Sequence, residues 1–182
     1  MVNIYKLKLT KLQQEILRLL FVKAGTVLNQ RAIARYLGVS PPAVIKALPK
    51  LEKEDLIKLE QDRDSKRWAI ELNRDNQQIV WLKRADNLKQ VYESGLVQFL
   101  YEKLPGATII LFGSYHLGED TVTSDIDLAV IGTKDKHLDL IEFDKILERK
   151  IIINYYDSFR DIHKHLLNNI LNGIVLKGSV EL

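Results

Sequence analysis

Two acids one residue apart open an apolar run, Asp125-Ile-Asp-Leu-Ala-Val-Ile131, and a second apolar run, Ala107–Phe112, ends directly in Gly113-Ser114. Both runs have the β-branched content of short buried strands. Strand side chains alternate, so Asp125 and Asp127 share one face while Ile126 enters the core on the other. Two carboxylates on one face repel unless a cation lies between them, and Mg²⁺ or Mn²⁺, ligated by carboxylate and phosphate oxygens, is the matching occupant. Gly113 lets backbone approach a phosphate, and Ser114, at the start of a short helix, offers its hydroxyl and N–H groups to phosphate oxygens. Asp125 and Asp127 are therefore the candidate metal-ligating and catalytic residues.

The stretch GSYHLGEDTVTSDIDLAVI resembles the signature of the DNA-polymerase-beta-like nucleotidyltransferase superfamily, especially its minimal prokaryotic members. Gly113, Ser114, Gly118, Ser124, Asp125 and Asp127 carry the match. The resemblance implies an NTP as substrate or ligand, Mg²⁺ or Mn²⁺, and nucleotide or phosphate binding through Gly113, Ser114, Gly118 and Ser124. Helix 94–103, strand 107–112, strand 126–131, helix 138–147 and strand 150–156 reproduce the superfamily order over roughly the last 90 residues.

Two positions depart from the pattern. An arginine often precedes the second glycine, where this chain has His116-Leu117-Gly118. Active members place a third carboxylate on the later strand, but 149–156 reads Arg-Lys-Ile-Ile-Ile-Asn-Tyr-Tyr; Asn154 is a weak ligand and Asp157 follows at the strand's end. Loss of the third acid implies reduced or absent transfer. The alternative is an active enzyme that moves an NMP from an NTP to a protein or small-molecule hydroxyl, as some minimal relatives do as antitoxins acting on a toxin partner. His116 is either a phosphate contact or a solvated loop residue. His163 and His165, placed in one helix over 158–171, face different sides and are surface residues.

Helical starts and stops organise the first half. Thr10 caps a helix with Leu12, Ile16, Leu19 and Leu20 at 3–4 spacing; Asn29 caps a second that stops at Gly38; Ser40 and Pro41 start a third with Val44, Leu48 and Leu51 as its buried stripe. Pro49 predicts a kink near 47–49. Residues 56–60 and 67–72 read as a hairpin with a polar tip. This pattern resembles prokaryotic winged-helix transcriptional regulators and implies double-stranded DNA as partner and a homodimer. Lys46, Lys50 and Lys53 form a basic row on the third helix, and Ser40, Arg63, Lys66 and Arg67 join them as candidate DNA contacts. A protein-interaction module with solvated lysines is the competing reading.

The expected fold class is α+β: a winged helix-turn-helix over 1–75, a connecting helix over 76–93 and a nucleotidyltransferase-like domain over 94–182. The connector either pairs with a second subunit or packs on its own winged helix. Charge is uneven: Met1–Asp75 holds 15 Lys and Arg against 9 Asp and Glu, +6, and the remainder 12 against 15, −3. A polyanion partner for the first half follows. With no cysteine, a disulfide framework and thiolate chemistry are excluded. The residues from Met1 lack a signal-peptide apolar stretch and no run approaches a membrane span, so a cytoplasmic protein is expected.

Overall fold

The computed structural model describes residues 8–61 and 67–181. They form two compact units, 1–79 and 80–182.

In the first unit, α1 (Lys11–Val22) is opened by Thr10, whose side chain accepts from the Gln13 N–H while the Gln13 side chain accepts from the Thr10 N–H. This reciprocal capping box satisfies two otherwise unpartnered donors. Asn29 caps α2 (Gln30–Leu37), and Gly38 ends it in the left-handed conformation at φ 65°. Only Val39 separates that glycine from Ser40, the cap of α3 (Pro41–Lys53). Val44, Leu48 and Leu51 of α3 are buried with Ile16 and Leu20 of α1 and Ile33 of α2. Truncating one of these leucines to Ala is expected to cost ~2–5 kcal/mol. The helix is unbroken through Pro49, which is exposed, so the expected kink does not interrupt it. β1 (Ile57–Gln61) and β2 (Trp68–Leu72) pair antiparallel from Ile57↔Leu72 to Gln61↔Trp68. Leu28 adds a third, one-residue strand: its N–H and carbonyl bond both polar groups of the Ile70 backbone at 2.9 and 2.8 Å. The wing tip, with Arg63 and Lys66, lies outside the described residues.

The second unit holds a four-stranded sheet in the order β5-β4-β3-β6. Its elements are α4 (Gln77–Glu93, from residue 80 onward), α5 (Leu96–Lys103), β3 (Thr108–Phe112), α6 (Gly113–Leu117), β4 (Ile126–Ile131), α7 (Ile141–Leu147), β5 (Ile151–Tyr156), α8 (Lys164–Leu171) and β6 (Ile174–Lys177). β3 pairs antiparallel with β4 and β6, while β4 and β5 run parallel. Alternation divides the core into two. Ile126, Leu128 and Val130 face Leu96, Leu100 and Val91; Ala129 and Ile131 face Phe159, Ile162 and Ile170. Leu88 and Val91 of α4, the expected connector, pack into the first of these cores, so the C-terminal part of that helix belongs to the nucleotidyltransferase-like unit.

One expected helix is divided. Residues 158–171 form a 3₁₀ turn (Phe159–Asp161) capped by Ser158, an extended Ile162, and then α8. His163 sits before α8 in extended backbone, so its ring stacks on that of His165 with centroids 5.6 Å apart. The different-sides expectation failed because the i, i+2 geometry presumed a continuous helix; both rings are nonetheless exposed.

Candidate functional site: a carboxylate face and a basic winged helix

β4 presents Asp127 beside Phe112, the last residue of β3, so the chain turns into Gly113 directly against the carboxylate. Gly113 has φ 79°, and a Cβ there would collide with the Asp127 carboxylate. Glycine is required twice over, by backbone conformation and by space. Asp125 is exposed and Asp127 half-buried. Neither carboxylate has a hydrogen-bond or ion-pair partner among the described residues. Burial, and then the charge of Asp125, hold the Asp127 carboxyl above its ordinary value.

The β4–β5 register shows what stands where a third acid is missing. Asp127 pairs with Ile152, and Asn154 lies beside Ala129, one strand repeat further from the carboxylates. Asp157 follows Tyr156, which pairs with Ile131 at the far end of β4. Five residues at ~3.3 Å each place Asp157 about 16 Å along the strand from Ile152, out of reach of a shared ion. Among the described residues no group of three or more His, Asp or Glu is placed to hold a metal. Two free carboxylates and a glycine cradle fit one divalent cation completed by oxygen ligands from elsewhere.

The other signature residues have distinct tasks. Ser114 is the second residue of α6, where its carbonyl accepts from Glu119 N–H at 3.0 Å. Ser124 closes the turn before β4: its Oγ accepts from Thr121 N–H at 3.0 Å, and its own N–H donates to the Thr121 carbonyl. Gly118 is buried at φ 78°, and a Cβ there would meet the Val80 carbonyl and Arg84 nitrogen of α4. Its visible duty is close packing on that helix. His116 is neither a phosphate contact nor solvated: it is 3% exposed, with Nδ1 2.6 Å from the Gly113 carbonyl and Nε2 3.2 Å from that of Asn172. It fixes the glycine turn from behind.

A buried polar cluster beneath this face was missed from sequence. Asp120 is 1% exposed, and its Oδ1 accepts from the Lys83 ammonium and, at 2.6 Å, from Asn87 Nδ2. Its Oδ2 accepts from Arg149 Nη2 at 3.2 Å. Asn87 Nδ2 also donates to the Tyr115 carbonyl at 2.8 Å. Burial pushes the Lys83 ammonium below its ordinary value, against the pull of Asp120. The cluster ties α4 to the loop before Asp125 and to the residue two before β5. The signal was present: Ile79, Lys83, Asn87 and Val91 follow at i+4 steps, and all are buried.

In the winged helix, Lys46 and Lys53 are exposed, whereas Lys50 donates to the Glu54 carboxylate one turn on. The pairing lowers the Glu54 carboxyl from its ordinary value, through the hydrogen bond first and charge second. Ser40 accepts from Ala43 N–H at 3.4 Å, so its oxygen serves the helix cap. Arg67 lines a pocket of about 440 Å³ with Asn29, Gln30, Arg31 and Arg35 at the start of α2. Arg31 and Arg35 were missed, although two arginines one turn apart behind an Asn cap mark a cationic helix start.

Comparison with known proteins separates the same two parts. The profile of the MarR family matches residues 9–68, and that of the nucleotidyltransferase domain matches residues 93–177. No curated protein matches the chain. Among solved structures, a zinc-responsive MarR family member of Lactococcus lactis, ZitR, is similar at 27% identity over 56% of this chain and 67% of its own, TM-score 0.41. The adhesin competence repressor AdcR of Streptococcus pyogenes is similar at 25% over 57% and 72%, TM-score 0.42. A MepR–DNA complex of S. aureus is similar at 26% over 52% and 81%, TM-score 0.37. The chain joins a DNA-binding regulator domain of MarR-family type to a nucleotidyltransferase domain.

Proposed function

We propose that this protein is a DNA-binding, transcription-regulator-like protein whose second domain binds a nucleotide with one divalent cation and has lost most or all transfer activity. The observation that carries the reading is Ile152, the residue paired with Asp127 on β5, the strand where the superfamily pattern calls for the third acid. An aliphatic side chain neither ligates a metal nor accepts a proton, so the base and the second ion's ligand are both missing. Asp125 and Asp127 would hold Mg²⁺ or Mn²⁺, which supplies charge neutralisation to phosphate oxygens. The Gly113-Ser114 turn brings backbone N–H groups and a hydroxyl toward the same oxygens, and Gly113 leaves Asp127 the room it needs. Ser124 holds the turn before Asp125 in place. In the first domain, Lys46 and Lys53 on α3 and the pocket of Arg31, Arg35 and Arg67 offer separated cations to duplex phosphates.

Calorimetric titration of ATP and GTP with Mg²⁺ tests the second domain. Saturable binding to the wild type, abolished in Asp125→Asn/Asp127→Asn, is expected; heat that is equal in both proteins, or absent from both, sinks the nucleotide reading. Electrophoretic mobility shift on the protein's own upstream DNA at low salt tests the first. Residual nucleotidyl transfer to a protein hydroxyl is the competing reading. Label transferred from an NTP at a rate typical of enzymes would establish it in place of ours.

A further inference from the structure

We propose that Lys145 and Lys150 hold the terminal phosphates of the nucleotide in the pocket beside Asp125, an assignment that rests on the proposed nucleotide binding. The pocket measures about 500 Å³, and its lining includes Thr123, Ser124, Asp125, Lys145, Arg149 and Lys150. The backbone fixes Lys150 next to Asp125: the N–H of Ile126, which follows Asp125, donates to the Lys150 carbonyl at 2.8 Å. Lys145 comes from the last turn of α7. Other charges along this wall are already engaged. Arg149 bonds Asp120, Asp144 Oδ1 accepts from the Ile151 N–H at 3.0 Å, and Glu148, which also lines the pocket, makes an interaction of its own. The two lysine side chains are exposed and have no ion-pair or hydrogen-bond partner among the described residues. They therefore line the pocket as uncommitted cations beside the free Asp125 carboxylate.

This arrangement of charge selects the ligand. A divalent cation on the carboxylates alone leaves the lysines unmatched, and a simple carboxylate gains nothing from Asp125. A polyphosphate satisfies both ends, sharing a divalent cation with Asp125 and Asp127 and offering its outer oxygens to the lysines, which bind phosphate as point charges. The site then counts phosphates, because a nucleoside monophosphate that occupies the carboxylates does not reach Lys145 and Lys150.

The test is calorimetric titration of MgATP, MgADP and MgAMP into the full chain, into Lys145→Gln/Lys150→Gln and into Lys145→Arg/Lys150→Arg. Both lysines are exposed, so the thermal midpoint should not move, and the arginine variant keeps the charge. We expect MgATP to weaken at least tenfold in the glutamine variant and less than threefold in the arginine variant, with MgAMP changed less than twofold. MgATP affinity within twofold of wild type in the glutamine variant overturns the assignment while leaving nucleotide binding intact if Asp125→Asn/Asp127→Asn still abolishes it. Absence of MgATP binding to the wild type overturns both. If the glutamine variant binds inorganic phosphate more weakly but keeps its affinity for MgATP, the pocket takes the phosphate of another molecule and the nucleotide assignment falls.

Discussion

The two units use their charges in opposite ways. In the winged helix, Lys46 and Lys53 stand in solvent and Lys50 makes a half-exposed i, i+4 pair with Glu54. In the nucleotidyltransferase domain, Lys83, Asp120 and Arg149 have side chains no more than 3% exposed and are joined in one cluster. A surface row contributes little to stability and is free to meet a polyanion, whereas a buried cluster holds backbone segments in register and is costly to break. On the proposed function, the same residue types serve recognition in one unit and positioning in the other.

The sharpest way to break this contrast is to remove the shared acceptor. Asp120→Ala leaves two cations in the interior without their carboxylate, and we expect ~3–5 kcal/mol of destabilisation in urea unfolding of the second domain. Glu54→Gln, which removes the half-exposed partner of Lys50, should leave the unfolding midpoint of the first domain unchanged. Comparable destabilisation in the two variants would mean that burial is not what separates the clusters.

The contrast also explains what was legible in the sequence. Caps at Thr10, Asn29 and Ser40 are read from residue type and spacing because they act within one turn, and each formed. Gly113, Asp125 and Asp127 were legible because alternation and a signature fixed their neighbours. The Asp120 cluster was not, because its four members come from α4, a loop and the turn before β5, and only the tertiary fold brings 83, 120 and 149 together. His163 was misplaced for a local reason: Ile162 is extended at ψ 127°, and no strong breaker announces the interruption. The stand-in for the missing acid required register, since several non-acidic residues of β5 were equivalent until Asp127 was paired with Ile152.

Ile152→Asp would sharpen the comparison next, by placing a third carboxylate beside Asp127. With a non-hydrolysable ATP analogue present, electron paramagnetic resonance titration should show Mn²⁺ stoichiometry rising from one to two. Mn²⁺ affinity should tighten on the order of tenfold, about 1.4 kcal/mol. Unchanged stoichiometry would show that backbone position alone does not account for the missing ligand.

A smaller effect distinguishes members of the basic row. Every phosphate that a lysine no longer neutralises flattens the slope of log K against log salt by ~0.9, so Lys46→Ala and Lys53→Ala should each reduce it by about that amount on duplex DNA. Lys50→Ala should reduce it by less, because Glu54 already neutralises that ammonium. Equal reductions from all three would show that the Glu54 pair dissolves on the duplex.

The smallest expected effect concerns the carboxylate pair itself, measured in chelator so that no cation offsets the repulsion. The folded-state carboxyl of Asp127 is raised, by burial and by Asp125, above the ordinary value of 3.8. Holding it ionised therefore costs the folded state stability at pH 7, and that cost fades as pH falls through the raised value and vanishes once the unfolded chain is protonated too. Asp127→Asn should raise the thermal midpoint at pH 7 by a small margin, because solvent screening of this half-exposed group limits the cost. Below pH ~3.8 the two proteins should melt together, and adding Mg²⁺ at pH 7 should erase the advantage by stabilising only the wild type. A midpoint difference that persists into acid would assign the gain to packing of the amide, and the repulsion that prepares this face for a cation would have to be given up.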